Sequence, residues 1–179
     1  MSTQLKAMLK ATSFAVRYHA GQSRKGANPV PYVAHPLEVA RILLEEGGVE
    51  DIDVLCAAIL HDTLEDTKAT SEIIEDQFGS RVLRIVEEVT DDKDLHKDER
   101  KRLQVINASK KSSGAALVKL ADKIANVRDV THSPPNWDLG RRNNYIEWAS
   151  QVVRNLPIIN TKLLDAFDAA VVDYRSHFV

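Results

Sequence analysis

The run from Val54 to Leu60 constrains this chain more than any other stretch. It is apolar throughout and is followed at once by His61, Asp62, Glu65 and Asp66. A segment that is apolar on every side, without glycine or proline, predicts a buried helix. The residues Ala58 to Asp66, AILHDTLED, then carry an imidazole and three carboxylates toward the interior. Uncompensated buried charge is costly, and a metal ion is the natural counterpart. On a helix His61 and Glu65 stand at i, i+4, and so do Asp62 and Asp66. If the helix, or a turn of it, continues through Asp66, all four side chains crowd one end. A His-Asp pair standing alone reads first as a cap or a salt-bridged helix end. The apolar approach and the second carboxylate pair shift the reading to a metal.

The 179 residues suffice for one domain, 1–179, with a core of its own. A hydrophobic content of 44% argues against bulk disorder. The net charge of −2 gives no general attraction to nucleic acid or to an anionic membrane, so any basic site must be local. Cys56 is the single cysteine; it excludes an internal disulfide, fits a reducing compartment and reads as a small buried apolar residue. No signal-peptide block stands at the N-terminus, and the longest apolar run is far short of a membrane span. The expectation is a soluble cytoplasmic protein.

Helical spacing of Leu5, Met8, Leu9, Thr12, Ala15 and Val16 predicts a helix over about 4–19, stopped by Gly21. Residues 21–36, rich in glycine and proline, read as a loop. In it Ser23, Arg24 and Lys25 are either simply solvated or a phosphate grip. His35 stands at the mouth of the next helix, whose first turn suits Pro36 and which Gly47-Gly48 end. Asp51 or Asp53 can cap the central helix, and Thr70 the helix 71–78. Helices follow over 81–89 and 99–110. The charge run Asp91 to Lys101 reads, on charge alone, as a mobile solvated loop, and Ser112-Ser113-Gly114 as a helix breaker. In Ala115 to Val130, Leu117, Leu120, Ile124 and Val127 make an apolar stripe, with Asp122, Asn126 and Asp129 clustered away from it. Asp122 is then either an exposed acid on an amphipathic helix or a group facing an occupied cleft. Helices over 138–156 and from Asn160 complete an all-α pattern with no period-two alternation, no repeat and no linker.

With His35, His61-Asp62 and Asp122 in that order, the chain resembles the HD metal-dependent phosphohydrolases. RKG at 24–26, PYVAHP at 31–36, AILHDTLED, and KLADKIANVRD at 119–129 resemble the hydrolase half of the RelA/SpoT alarmone enzymes. NWDLGRRNNYIEWASQVV and the short chain resemble the stand-alone small alarmone hydrolases of the metazoan SpoT-homologue type. The resemblance implies an all-α, single-domain HD fold and one Mn²⁺ per chain. It implies hydrolysis of guanosine tetra- or pentaphosphate at the 3′ position, giving GDP or GTP and pyrophosphate. It assigns His35, His61, Asp62 and Asp122 as metal ligands, and Glu65 and Asp66 as catalytic carboxylates. Arg24, Lys25 and Asn126 would line the nucleotide site, joined by Lys97, Arg141 and Tyr145 from more variable surroundings. The long enzymes resemble ADRLHNMRTL where this chain has ADKIANVRDV, which leaves the ligand in place and puts base contacts from this helix in question.

The chemistry agrees with the resemblance. Two imidazoles and two carboxylates suit a borderline divalent ion such as Mn²⁺ or Fe²⁺, and four protein ligands leave an octahedral ion open positions. Glu65 and Asp66 follow the ligands closely enough to position or deprotonate a water. Arg24, Lys25, Lys97 and Arg141 are the local cations for a polyanionic substrate. Tyr145 either stacks on the nucleotide or packs as a core aromatic beside Trp148. The rival readings are an NADPH 2′-phosphatase, a catalytically inactive nucleotide-binding HD protein, and a helical adaptor, the last of which leaves the buried His and Asp cluster without a purpose. The expected partner is a small nucleotide, with neither nucleic acid nor membrane.

Overall fold

The computed structural model describes residues 3–24, 26, 30–157 and 160–178. Its helices are α1 (Thr3–Tyr18), α2 (Ala34–Arg41), α3 (Ile52–Leu60), α4 (Thr63–Asp66), α5 (Ser71–Phe78), α6 (Ser80–Val89), α7 (Lys97–Asn107), α8 (Ser113–His132), α9 (Leu139–Asn155) and α10 (Thr161–Phe178). A π turn, Ile42–Glu46, continues α2. Among the described residues the sole extended pairing is an isolated bridge between Ser23 and Pro31, so the all-α expectation holds. No described helix is long and apolar enough to cross a membrane.

The apolar run became the centre. Val54 to Leu60 are all buried in α3, which packs on α1, α2, α6 and α8. Truncating Ile59 or Leu60, both 1% exposed or less, to alanine would cost about 2–5 kcal/mol. Cys56 is buried and free, and burial lifts its thiol to about 11. The second organiser is α8, which lies against α2, α3, α6, α9 and α10. The caps follow the side chains that can make them. Asp51 accepts from the Asp53 N–H at 3.1 Å, Thr70 from Ile73 at 3.4 Å, Asp138 from Arg141 at 2.7 Å and Asn160 from Leu163 at 3.1 Å. Gly79, at φ +86°, lets the chain turn directly from α5 into α6.

Three expectations meet the structure here. First, of the helix or a turn of it, it is a separate turn, α4, and not the central helix itself, that reaches Asp66. The central helix ends at Leu60, whose carbonyl accepts from the Thr63 hydroxyl at 2.6 Å; His61 and Asp62 form the corner, and α4 begins one residue on. Second, Gly114 is not a breaker. Ser112 caps α8 by accepting from the Ala115 N–H at 3.3 Å, and Gly114 lies inside the helix. A Cβ on Gly114 would come within 2.8 Å of Ile85 Cδ1, so its role is close approach of α8 to α6. Third, the charge run is not a free loop. Its second half is the start of α7, and Trp148 holds it by donating its indole N–H to the Lys101 carbonyl at 3.0 Å. The Lys101 ammonium lies 4.8 Å from the centre of the same ring, so charge that looked solvated is used in packing.

Candidate active site

α2, the α3–α4 corner and α8 converge on one point. His35, the second residue of α2, places Nε2 3.2 Å from Asp122 Oδ1 and 3.9 Å from Asp62 Oδ2. His61 places Nε2 3.2 Å from Asp62 Oδ2 and 3.9 Å from Asp122 Oδ1. Donor atoms of His35, His61 and Asp62 all lie within 4.8 Å of one another. His35, His61 and Asp122 are buried, which decides the question of Asp122 in favour of the cleft. Its Oδ1 also accepts from Asn126 Nδ2, and its Oδ2 from Lys123 Nζ at 3.1 Å.

The donor set fits a cation. His61 Nδ1 pairs with the Ala58 carbonyl at 2.7 Å, so it carries the proton and turns the Nε2 lone pair toward the carboxylates. That Nε2 is buried and has no hydrogen-bond partner among the described residues, and His35 Nδ1 is a second such atom. An orphaned buried nitrogen facing two carboxylates is costly unless a positive centre meets it. The titration of the site carries the same demand. Burial alone would depress the His61 imidazole, but Asp62 and Asp122 outweigh it and lift it to about 9. Burial pushes His35 down. Asp62 and Asp122 resist burial and stay well below the ordinary carboxylate range, held there by His61 and by Lys123 with His35 respectively.

Glu65 and Asp66, on α4, are each held by the segment that joins α6 to α7. Glu65 accepts from the Asp91 N–H at 3.1 Å and stands 3.5 Å from Arg100 Nη1. Burial pushes its carboxyl up; the Asp91 N–H pulls against that, and the carboxylates of Asp91, Asp62 and Asp66 add to it. Asp66 pairs with the Lys93 ammonium and accepts from the Tyr32 hydroxyl at 3.2 Å. The same hydroxyl reaches Asp62 Oδ2 at 2.7 Å. Burial and Asp62 push the Tyr32 phenol far up.

Beside this point opens a cleft of about 530 Å³, lined among others by Arg24, Tyr32, Asp66, Asn126, Trp137 and Tyr145. Arg24 is gripped from α8, donating to Asn126 Oδ1 at 2.7 Å and to Asp129 Oδ2 at 2.6 Å. Trp137 and Tyr145 also border a second hollow of about 260 Å³, with Lys97, Arg100, Lys101, Arg141 and Trp148. Arg141 lies 4.5 Å from the centre of the Trp137 ring. Tyr145 packs between Trp137 and Trp148 at 5.7 and 5.4 Å, so it is at once a packed aromatic and a wall of the cleft. Arg24, Asn126, Asp66 and Tyr145 thus share one cleft, while Lys97 and Arg141 stand in the adjoining hollow. Lys25 lies outside the described residues. Reading the sequence gave no role to Tyr32, Lys93, Arg100, Lys123 or Trp137. Three of them had a signal in the motifs: Tyr32 stands three residues before His35 in PYVAHP, Lys123 follows Asp122 in KLADKIANVRD, and Trp137 lies in NWDLGRRNNYIEWASQVV.

A sequence model of the HD domain family matches residues 11–146. This chain belongs to the HD domain family. Among its HD relatives is a human protein named guanosine-3′,5′-bis(diphosphate) 3′-pyrophosphohydrolase, 51% identical over 167 residues and covering 93% of each chain. The Drosophila melanogaster protein of that name is 46% identical over 87% of each. A solved structure of a metazoan SpoT orthologue, described as hydrolysing ppGpp and acting in starvation responses, superposes with a TM-score of 0.91 at 41% identity. That match covers 100% of this chain and 98% of the other.

Proposed function

We propose that this HD-domain protein is a manganese-dependent 3′-pyrophosphohydrolase of guanosine tetra- and pentaphosphate, with residues 1–179 acting as one hydrolase domain in the cytoplasm. The observation that carries the reading is the orphaned Nε2 of His61, buried among His35, Asp62 and Asp122 and adjoining a cleft that holds Arg24 and Asp66. The names of the human and Drosophila relatives support the substrate. The lone buried Cys56 agrees with a reducing compartment.

His35, His61, Asp62 and Asp122 would hold the ion. When bound, it would lower the pKa of a water and offset charge on the phosphoryl oxygens. The water's oxygen attacks the phosphorus next to the ribose 3′ oxygen, and the bond from that phosphorus to O3′ breaks. Glu65, its carboxyl raised by burial, takes the water's proton and returns one to the departing 3′ oxygen. Asp66, held by Tyr32 and Lys93, orients the water. Arg24 and, in the adjoining hollow, Lys97 and Arg141 bind the diphosphate groups, Asn126 keeps Arg24 aimed, and Tyr145 stacks on the base. Lys25 belongs to the same basic loop as Arg24.

Purified protein with Mn²⁺ should release pyrophosphate and GDP from guanosine tetraphosphate in equal amounts. Orthophosphate from NADPH, with no pyrophosphate from the alarmone, would replace this reading with the 2′-phosphatase. Neither product would leave a binding protein.

A further inference from the structure

We propose that Tyr32 is a positioning residue for this reaction, its hydroxyl setting where Asp66 stands relative to Asp62. The inference rests on the hydrolase reading above and goes beyond it. Tyr32 is fixed from several sides. Its backbone N–H donates to the Gln22 carbonyl at 2.9 Å, beside the Ser23–Pro31 bridge. Its ring stacks on His19 at 4.9 Å and 28°, and the Arg24 guanidinium lies 5.7 Å from its centre. The same scaffold grips Asp66. His19 Nδ1 pairs with Gln22 Oε1 at 2.7 Å, and Gln22 Nε2 donates to the Asp66 carbonyl at 2.7 Å. One small unit therefore holds the backbone of Asp66 and aims the phenol at its carboxylate.

The hydroxyl has one proton and two carboxylate acceptors, at 2.7 Å on Asp62 and 3.2 Å on Asp66. Asp62 and Asp66 are i, i+4 neighbours and repel each other. The shared proton draws them together, so the carboxylate beside the ion and the one assigned to the water keep a set spacing. Take the hydroxyl away and Asp62 still faces His61 and His35. Among the described residues Asp66 then keeps only the Lys93 ammonium as a side-chain partner, from a segment that is exposed. Its carboxylate turns about the Lys93 contact and away from Asp62.

Tyr32→Phe keeps the ring and its stack on His19 and removes only the hydroxyl. With manganese saturating, so that any weakening through Asp62 is masked, kcat should fall roughly ten- to hundredfold, the scale for losing a hydrogen bond to a charged group, with KM within about twofold. Against Asp66→Ala the same change should add less than about twofold, because the residue it acts through is gone. A crystal structure of manganese-loaded Tyr32→Phe should show the Asp66 carboxylate displaced from Asp62. An unchanged kcat, additive losses in the cycle, or an Asp66 carboxylate that has not moved would each overturn the proposal. So would a Lys93→Met variant that loses kcat while Tyr32→Phe does not. If the wild type itself releases no pyrophosphate from the alarmone, the substrate reading fails instead. The crystal structure, which needs no turnover, still decides for or against Tyr32.

Discussion

The cleft has two banks built on different principles. One bank, His35, His61, Asp62 and Asp122, proposed above to hold the ion, sits where three elements meet, and its two imidazoles and Asp122 are buried. Its groups are aimed by backbone corners and by one another. The cationic bank, Lys97, Lys101, Arg141, Trp137, Tyr145 and Trp148, is assembled from α7, α9 and the turn before α9, and Lys101 and Arg141 lie against its rings at or near the surface. The difference teaches where each kind of precision comes from. A multivalent ion tolerates little displacement of its ligands, so it needs groups that cannot move. A polyphosphate is long and flexible, and cations on stacked rings can follow it.

This contrast predicts a graded series of effects. His61→Ala should abolish metal binding and activity together, whereas alanine at His19, His96, His132 or His177 should leave one manganese per chain by elemental analysis. Two stoichiometric ions, or none after manganese loading, would break the comparison at its firmer end. Next, Glu65→Gln and Asp66→Asn should retain the ion and slow turnover by about 10²-fold or more, read by single-turnover kinetics. A variant with normal turnover drops out of the mechanism.

Smaller effects belong to the substrate contacts. Arg24→Ala and Arg141→Ala should each lower kcat/KM for the alarmone about tenfold to a hundredfold, the scale of a charge-assisted phosphate contact, with the ion retained. Arg24, whose side chain is 19% exposed, should lose less of its effect at high salt than the exposed Arg141. Equal salt dependence would remove the distinction between a fixed and an adaptable cation.

The smallest effect concerns stability in alkali. Burial raises the Tyr145 phenol above its ordinary value. A raised folded pKa means that the native state holds its proton more tightly than the unfolded chain. The contribution is therefore complete below about pH 10, the unfolded tyrosine value, and is lost as pH rises beyond it. Denaturant melts between pH 8 and 11 should show stability falling above about 10, and Tyr145→Phe should flatten that fall.

Legibility in the sequence follows the same division. The apolar run of α3 and the caps at Asp51, Thr70 and Asn160 could be read because each rests on local spacing or on near neighbours, whereas the grouping of His35, His61, Asp62 and Asp122 came from the family resemblance. Asp122 stood out by the small residues around it on α8, although the same pattern allowed an exposed acid. The roles of Lys93, Arg100 and Trp137 could not be read. Lys93 meets Asp66 across 27 positions, and Arg100 meets Glu65 across 35. No periodicity encodes such a meeting. In the run from Asp91 to Lys101, charge density was a misleading guide, because an ammonium over an indole counts as charge in composition and as packing in the folded chain. Gly114 misled for the opposite reason: a residue that usually signals a break was needed for the space its side chain does not fill.

Trp137 and Trp148 are the only tryptophans in the chain, and both stand on the cationic bank, each with an Arg or Lys over its ring. Ultraviolet emission from this protein therefore arises mainly beside the hollow proposed for the nucleotide, with Trp148 also lying 4.4 Å from the Lys123 ammonium that pairs with Asp122. A nucleotide that draws Arg141 or Lys101 off its indole changes the light that the molecule gives out. The fold carries its own optical gauge of cleft occupancy, readable in a cuvette without a label.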